Sequence, residues 1–392
     1  MIILIVIANH RTISIMHNME TPRYEYSRSV IQERMQELTA LAAPFGCVVR
    51  YAVKANPHPD IIALLQAGGV QFDASSSYEA AELLAAGVPG KHISLSSQQS
   101  AHNLEELLTA GVQYVATSVR QLELFLETPS RPETVGVRIN PDIGQGHNNR
   151  TSTGGVSASF GIWHAYIPEV LARAEAAGVR IDRLHIHIGS GADPEIWGAV
   201  MDRGLELVEQ FPDVQSLDIG GGYKVHRFGD EPEADMSAIM AVFSDKLQAF
   251  AERTGRSLQL EIEPGTYFIA RAGTLVATVD DIVDTGPEGY TFLRLNTGMN
   301  DFLRSAMYGA QHAIEVMAQT EETAAYVVVG HNCESSDLFT PAAGDPETIA
   351  PRTLARASVG DEVRIYDVGA YGASMRAAGY NPFPDASEVI VD

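Results

Sequence analysis

Lys54 lies in the run "VRYAVKANP", near the end of a β-rich stretch where alternation turns its neighbours Tyr51 and Val53 to packing positions. An amine held in such surroundings is suited to forming an imine with a carbonyl group. His185 and His187 alternate in "HIHIGSG" and so share one face of their strand. "DIGGGY" offers Gly220, Gly221 and Gly222 in succession, and consecutive glycines let backbone amides close on an anion such as phosphate. "EIEPG" carries Glu261 and Glu263 on one face, and a buried carboxylate there needs a cationic or hydrogen-bonding partner. Each signal alone has a bland explanation: a solvated lysine, satisfied core histidines, a turn, a structural ion pair. Together they supply an amine for an imine, amides for a phosphate and a carboxylate for a protonated ring nitrogen. That set describes a site for pyridoxal 5′-phosphate.

The elements that must position these residues repeat. Eight β-rich runs fall at 48–55, 70–76, 92–97, 113–118, 134–140, 181–189, 216–222 and 257–265. Between them lie stretches with apolar residues at three- and four-residue steps, several ending in Gly, as in "SYEAAELLAAG" and "IPEVLARAEAAG". This alternation predicts an α/β chain with a (β/α)8 TIM-like barrel, whose chemistry collects at the C-terminal ends of its strands. The chemical residues above all fall at those ends. After Gly265 the pattern becomes β-like runs without long helices, which predicts a C-terminal all-β domain. The expected organisation has four parts. Residues 1–18 are a disordered or over-extended start, and 19–35 hold a strand ("RYEYS") given to the β domain. The barrel covers 36–272 and the β domain 273–392. The polar stretch 141–162 follows strand 5 and is expected to hang over the barrel mouth as a lid.

Composition narrows the function classes. A chain of 392 residues with 45% apolar content can bury one large core and a smaller one. Its net charge of −23 argues against nucleic-acid and anionic-membrane partners, which need a cationic face. An anionic substrate must therefore be held by local cations. Cys47 and Cys333 make no disulfide framework and suit a reducing, cytoplasmic location. "IILIVIA" is too short to span a bilayer, and no metal-binding pattern is expected.

From about Pro22 to Asp392 the chain resembles the pyridoxal-phosphate decarboxylases of the ornithine, arginine and diaminopimelate group. The motifs "YAVKAN", "HIHIGSG", "DIGGGY", "EPG", "CESSD" and "GAYGASM" carry the resemblance, in the family's order. "RLNTGMNDFLRSAMYGAQH" and "GHNCESSDLFTP" place it nearest the diaminopimelate branch. The resemblance implies Lys54 as the imine lysine, His187 stacked on the cofactor ring and Glu263 paired with the ring nitrogen. It implies Gly220, Gly221, Gly222, Ser190 and Tyr371 around the phosphate, Gly265 at the cofactor, and Asp73, Glu79 and Arg138 near the lysine and ring. Arg304 and Tyr308, with Tyr371, would hold the far end of the substrate. Cys333 and Glu334 would reach the site from the partner subunit of a homodimer, Cys333 as the donor of the proton that replaces carbon dioxide. One departure stands out: Thr266 occupies the place where many members have the arginine of "EPGR".

The expected activity is decarboxylation of meso-diaminopimelate to L-lysine. A decarboxylase of ornithine, lysine or arginine stays open, as do a racemase of related fold and a catalytically silent cofactor-binding regulator.

Overall fold

The computed structural model describes residues 20–143 and 154–392. Its first strand, β1 (Arg23–Ser27), lies outside the barrel that follows. The barrel strands are β2 (Cys47–Ala52), β3 (Gln71–Ala74), β4 (Ile93–Leu95), β5 (Gln113–Ala116) and β6 (Thr134–Asn140). A two-residue strand β7 (Ile162–Trp163) adds beside β6, and β8 (Arg180–His185), β9 (Ser216–Asp218) and β10 (Gln259–Ile262) complete the set. Apart from β7 they pair in parallel in the order β5-β4-β3-β2-β10-β9-β8-β6, and a further β5–β6 pairing closes the ring. Leu260 aligns with Cys47 and Val115 with Gly136 in the registers that join the ends. The architecture is the expected eight-stranded barrel.

Helices between the strands start where side chains cap them. Ser76 Oγ accepts from the Glu79 amide at 3.1 Å and Ser118 Oγ from the Gln121 amide at 3.1 Å. In return, Glu79 and Gln121 accept from the backbone of Ser75 and Thr117, a reciprocal arrangement that satisfies exposed amide donors. The longest helix, Met236–Thr254, ends on Gly255 at a φ of 72°.

The β domain is organised on one long strand, β11 (Gly273–Asp284). With β12 (Thr291–Leu295), β13 (Ile314–Val316), β14 (Thr323–Val329), β17 (Arg352–Ala355) and β18 (Glu362–Tyr366) it forms the order β13-β18-β11-β12-β14-β17. A small hairpin, β15 (Pro341–Ala342) with β16 (Asp345–Ile349), stands apart. β1 runs antiparallel to β11 and parallel to the last strand, β19 (Ser387–Val391). Tyr24 and Tyr26 of β1 are fully buried there, and the Tyr24 hydroxyl donates to the Asp301 carbonyl at 2.7 Å.

The strand ends need adjustment, and two expectations fall wholly or partly outside the described residues. Every barrel strand except the fifth is shorter than its sequence run, so Lys54 falls in a 3-10 turn (Val53–Ala55) after β2, and His187 falls beyond β8. Residues 144–153, the middle of the expected lid, and the expected terminal segment 1–18 lie outside the described residues. The described end of the lid is anchored, because the Asn140 side chain accepts from the Gly155 amide at 2.9 Å and donates to its carbonyl at 3.0 Å. Among the described residues no helix is long and apolar enough to cross a membrane.

Candidate active site

The C-terminal ends of the barrel strands open into a cavity of about 660 Å³ that also touches the β domain. Lys54, Arg138, His187, Ser190, Gly221, Gly222, Glu263, Gly265, Arg304, Tyr308 and Tyr371 all line it. Sequence reasoning named each of them. It did not name Ser96, Lys224, Arg227 or Phe228, which line the cavity too.

Lys54 is exposed and lines the cavity, between the buried residues Val53 and Ala55. Burial works against its charge, but Tyr371, Asp73 and Glu263 outweigh that effect and the ammonium's pKa is raised. The turn carrying Lys54 is clamped from the β domain. The Tyr371 amide donates to the Ala55 carbonyl at 2.8 Å, the Ser374 hydroxyl to the same oxygen at 3.0 Å, and the Asn56 side chain to the Gly369 carbonyl at 3.0 Å. Tyr371 itself sits at a φ of 57°, a left-handed conformation that a non-glycine residue adopts at a cost of ~1–3 kcal/mol.

Glu263 is buried, and its Oε1 has no hydrogen-bond partner. Burial, then Asp218 and Asp73, push its carboxyl well above the usual glutamate range. His185 Nε2 is 3.6 Å from Glu263 Oε2, and burial, then Arg138 and Arg183, hold that imidazole neutral. His187 is half-buried, and burial with the charges of Arg138 and Lys54 keeps it neutral as well.

A layer of charge lies beneath these groups. Glu261 Oε2 accepts from Arg50 Nε at 2.8 Å and pairs with Arg183 Nη2 at 2.8 Å. Arg183 also pairs with Asp218 and donates to Ser94 Oγ at 2.7 Å. The two glutamates of "EIEPG" therefore divide their tasks: Glu261 joins this network, and Glu263 borders the cavity.

The glycine segment narrows the expected phosphate cradle. Gly220 lies outside the cavity lining, its amide donates to Asp218 Oδ1 at 2.8 Å and its carbonyl accepts from Glu263 at 2.8 Å. Gly221 and Gly222 do line the cavity, and a Cβ on either would overlap a backbone carbonyl, Glu263's or Gly189's.

Asp73 is buried outside the lining and accepts from Ser96 Oγ at 3.1 Å, close enough to Lys54 to interact with its charge. Glu79 serves as a helix-capping carboxylate. Cys333 and Glu334 are exposed and border no part of this cavity within the chain. The Cys333 amide donates to Asn381 Oδ1 at 2.7 Å, and Glu334 accepts from Ser336 and Tyr380.

These residues fit pyridoxal phosphate. The amine opens into the cavity, the buried carboxyl lacks a partner on one oxygen, and side-chain-free backbone lies where an anion must approach.

The model of the "pyridoxal-dependent decarboxylase, pyridoxal binding domain" family matches residues 28–270. A diaminopimelate decarboxylase of Streptomyces coelicolor is 33% identical over 384 residues, covering 95% of this chain and 84% of that protein. The one from Escherichia coli K12 is 31% identical over 386 residues, covering 95% and 89%. The crystal structure of diaminopimelate decarboxylase from Helicobacter pylori complexed with L-lysine superposes with a TM-score of 0.84 at 28% identity, covering 96% and 92%. With an amine, a carboxyl and bare amides meeting at the mouth of a barrel that this family's model spans, the chain belongs to the pyridoxal-dependent decarboxylases.

Proposed function

We propose that this chain converts meso-diaminopimelate to L-lysine and carbon dioxide with pyridoxal phosphate as cofactor, acting as a homodimer in the cytoplasm. The observation that carries the reading is the convergence of Lys54, Glu263, Gly221 and Gly222 on one cavity that also contains Arg304 and Tyr308.

Bound pyridoxal phosphate supplies a conjugated electron sink for the pair left at Cα when carbon dioxide departs. Lys54 is the residue to hold its carbonyl carbon. Gly221, Gly222, Ser190 and Gly265 are placed to hold its phosphate, and Tyr371 completes that wall. Glu263 is the partner for its ring nitrogen. A cation there would draw the carboxyl back to its charged form, because opposite charge favours ionisation. Neutral His187 covers one face without adding charge that would oppose the ring nitrogen's proton.

Arg304 offers a planar fork to the substrate's distal carboxylate. Cys333 returns a proton to Cα and Glu334 takes the distal ammonium. Both act from the partner subunit, since in their own chain they stand at the surface away from the cavity. A decarboxylase for ornithine or lysine would want an acidic distal pocket, and the half-buried Arg304 lining the cavity disfavours it.

The test is carbon dioxide release from a panel of amino acids by the purified, cofactor-loaded protein, with Lys54→Ala as control. Diaminopimelate is the expected substrate. Arg304→Ala is expected to raise KM for it about tenfold or more, with little effect on lysine as an alternative substrate. Equal loss on both would remove the clamp, and turnover of ornithine alone would remove the assignment.

A further inference from the structure

Positive charge is spread unevenly around the cavity. Arg227 stands in the segment after the glycines, lines the cavity and is 8% exposed. Its Nη1 pairs with Glu231 at 3.1 Å, and its Nε is buried without a hydrogen-bond partner. Arg304 lines the same space with its Nε likewise unpartnered, and among the described residues it pairs with no carboxylate. Both guanidiniums line one cavity, and burial first, then the Arg227 charge, lower Arg304 to about 9. A third arginine, Arg352 of β17, stacks 3.7 Å from the ring centre of Phe228, with both Nη atoms buried and unpaired.

The opposing charge is Glu231, already paired with Arg227, and the exposed Asp230, which also lines the cavity, while the charge of Asp367 interacts with those of Arg271 and Arg227. Burial and all three arginines keep His312 neutral, so it contributes nothing to either side. Thr266 lines the cavity with a hydroxyl and no charge. Buried cations with unfilled donors are costly unless an anion meets them.

The surroundings of Lys54 and Arg304 differ. Lys54 interacts with Tyr371, Asp73, Glu263 and Arg138, whereas Arg304 interacts with Arg227, Tyr371, Glu231 and Tyr308. Tyr371 is common to both sets. Its ring centre is 5.9 Å from the Arg304 guanidinium carbon. The segment carrying Arg227 is held firmly. The Ala234 amide donates to the Lys224 carbonyl at 2.9 Å, and Glu233 bridges to Arg34 at 3.2 Å and to Arg271.

We propose that Arg227 is a specificity-determining residue that forms, with Arg304, a carboxylate subsite in this cavity. The ligand it selects is an amino acid with a second carboxylate at its distal end. The proposal rests on reading the cavity as an amino-acid decarboxylase site, and it assigns the substrate class of that site to a loop residue of the barrel as well as to the β domain. Glu231 is the internal counter-ion that the ligand's carboxylate competes with.

Titration calorimetry on the cofactor-loaded full chain tests this with two probes. Pimelate is a straight-chain dicarboxylate without amines, and cadaverine is a diamine without carboxylates. The wild type is expected to bind pimelate, and Arg227→Gln to weaken that binding about tenfold or more while cadaverine changes less than about twofold. Glu231→Gln removes the competing carboxylate and is expected to tighten pimelate, a gain that misfolding cannot produce. Absence of pimelate binding in the wild type, equal affinity in Arg227→Gln, or weaker binding in Glu231→Gln overturns the subsite. Arg227-dependent pimelate binding without carbon dioxide release from any amino acid would uphold the subsite and remove the decarboxylase reading instead.

Discussion

Glu263 shows how one buried carboxyl can be costly in one state and useful in another. Its folded-state pKa lies well above the ordinary value of 4.5, with burial the largest cause. A raised carboxyl pKa means that the fold favours the protonated form. Stability from this group is therefore fully present below 4.5 and is lost as pH rises toward the folded value. Glutamine keeps the shape and never ionises. We expect cofactor-free Glu263→Gln to melt above wild type at about pH 8. The gap should close as pH falls to about 5, at a slope of up to ~1.4 kcal/mol per pH step of one. With cofactor bound the order should reverse, because only the carboxylate can pair with a protonated ring. Thermal melts across pH, with and without pyridoxal phosphate, check both halves. A gap independent of pH would mean that Glu263 is not the strained group.

At the level of elements, the glycine segment after β9 has to bring bare backbone against the end of β8. Gly222 sits at a φ of 106° and its Cβ position overlaps the Gly189 carbonyl. Gly222→Ala should therefore lower stability by about 1–3 kcal/mol and also shrink the rise in Tm that added pyridoxal phosphate produces. A loss of stability with the full cofactor-induced rise would show that the segment has a packing role only. The barrel itself was legible because alternating β-rich and helically spaced runs leave few other folds, and "RYEYS" announced a strand although its partners lie at the other end of the chain. Strand ends were less legible: "HIHIG" reads as β throughout, yet the strand ends at His185. The Arg50–Glu261–Arg183–Asp218 layer was invisible because Arg50 and Glu261 stand 211 positions apart. Arg227 was missed for a different reason. In "KVHRFGDEPEAD" it has the look of a solvated charge, and only the closed fold buries it. Cys333 and Glu334 were legible through resemblance alone, since nothing local ties them to the cavity.

For the molecule as a whole, the two domains meet at the turn beside Lys54, and the exposed Cys333 and Glu334 require a second copy if they act as proposed. A mixture of Lys54→Ala and Cys333→Ala chains, each inactive alone, should regain about a quarter of wild-type activity after exchange of subunits, because half of the pairs carry one intact site. Activity that stays absent after verified exchange would place Cys333 outside the chemistry. The clamp on the Ala55 carbonyl comes from Tyr371 and Ser374, and β1 finds its parallel neighbour only in β19. Barrel strands can associate while the ribosome is still working, but the turn bearing the reactive amine stays unlatched until Tyr371 and Ser374 have been made. A chain released short of its final strand would leave Tyr24 and Tyr26 beside an open sheet edge. Premature termination before β19 should thus give an aggregating product instead of a weak enzyme.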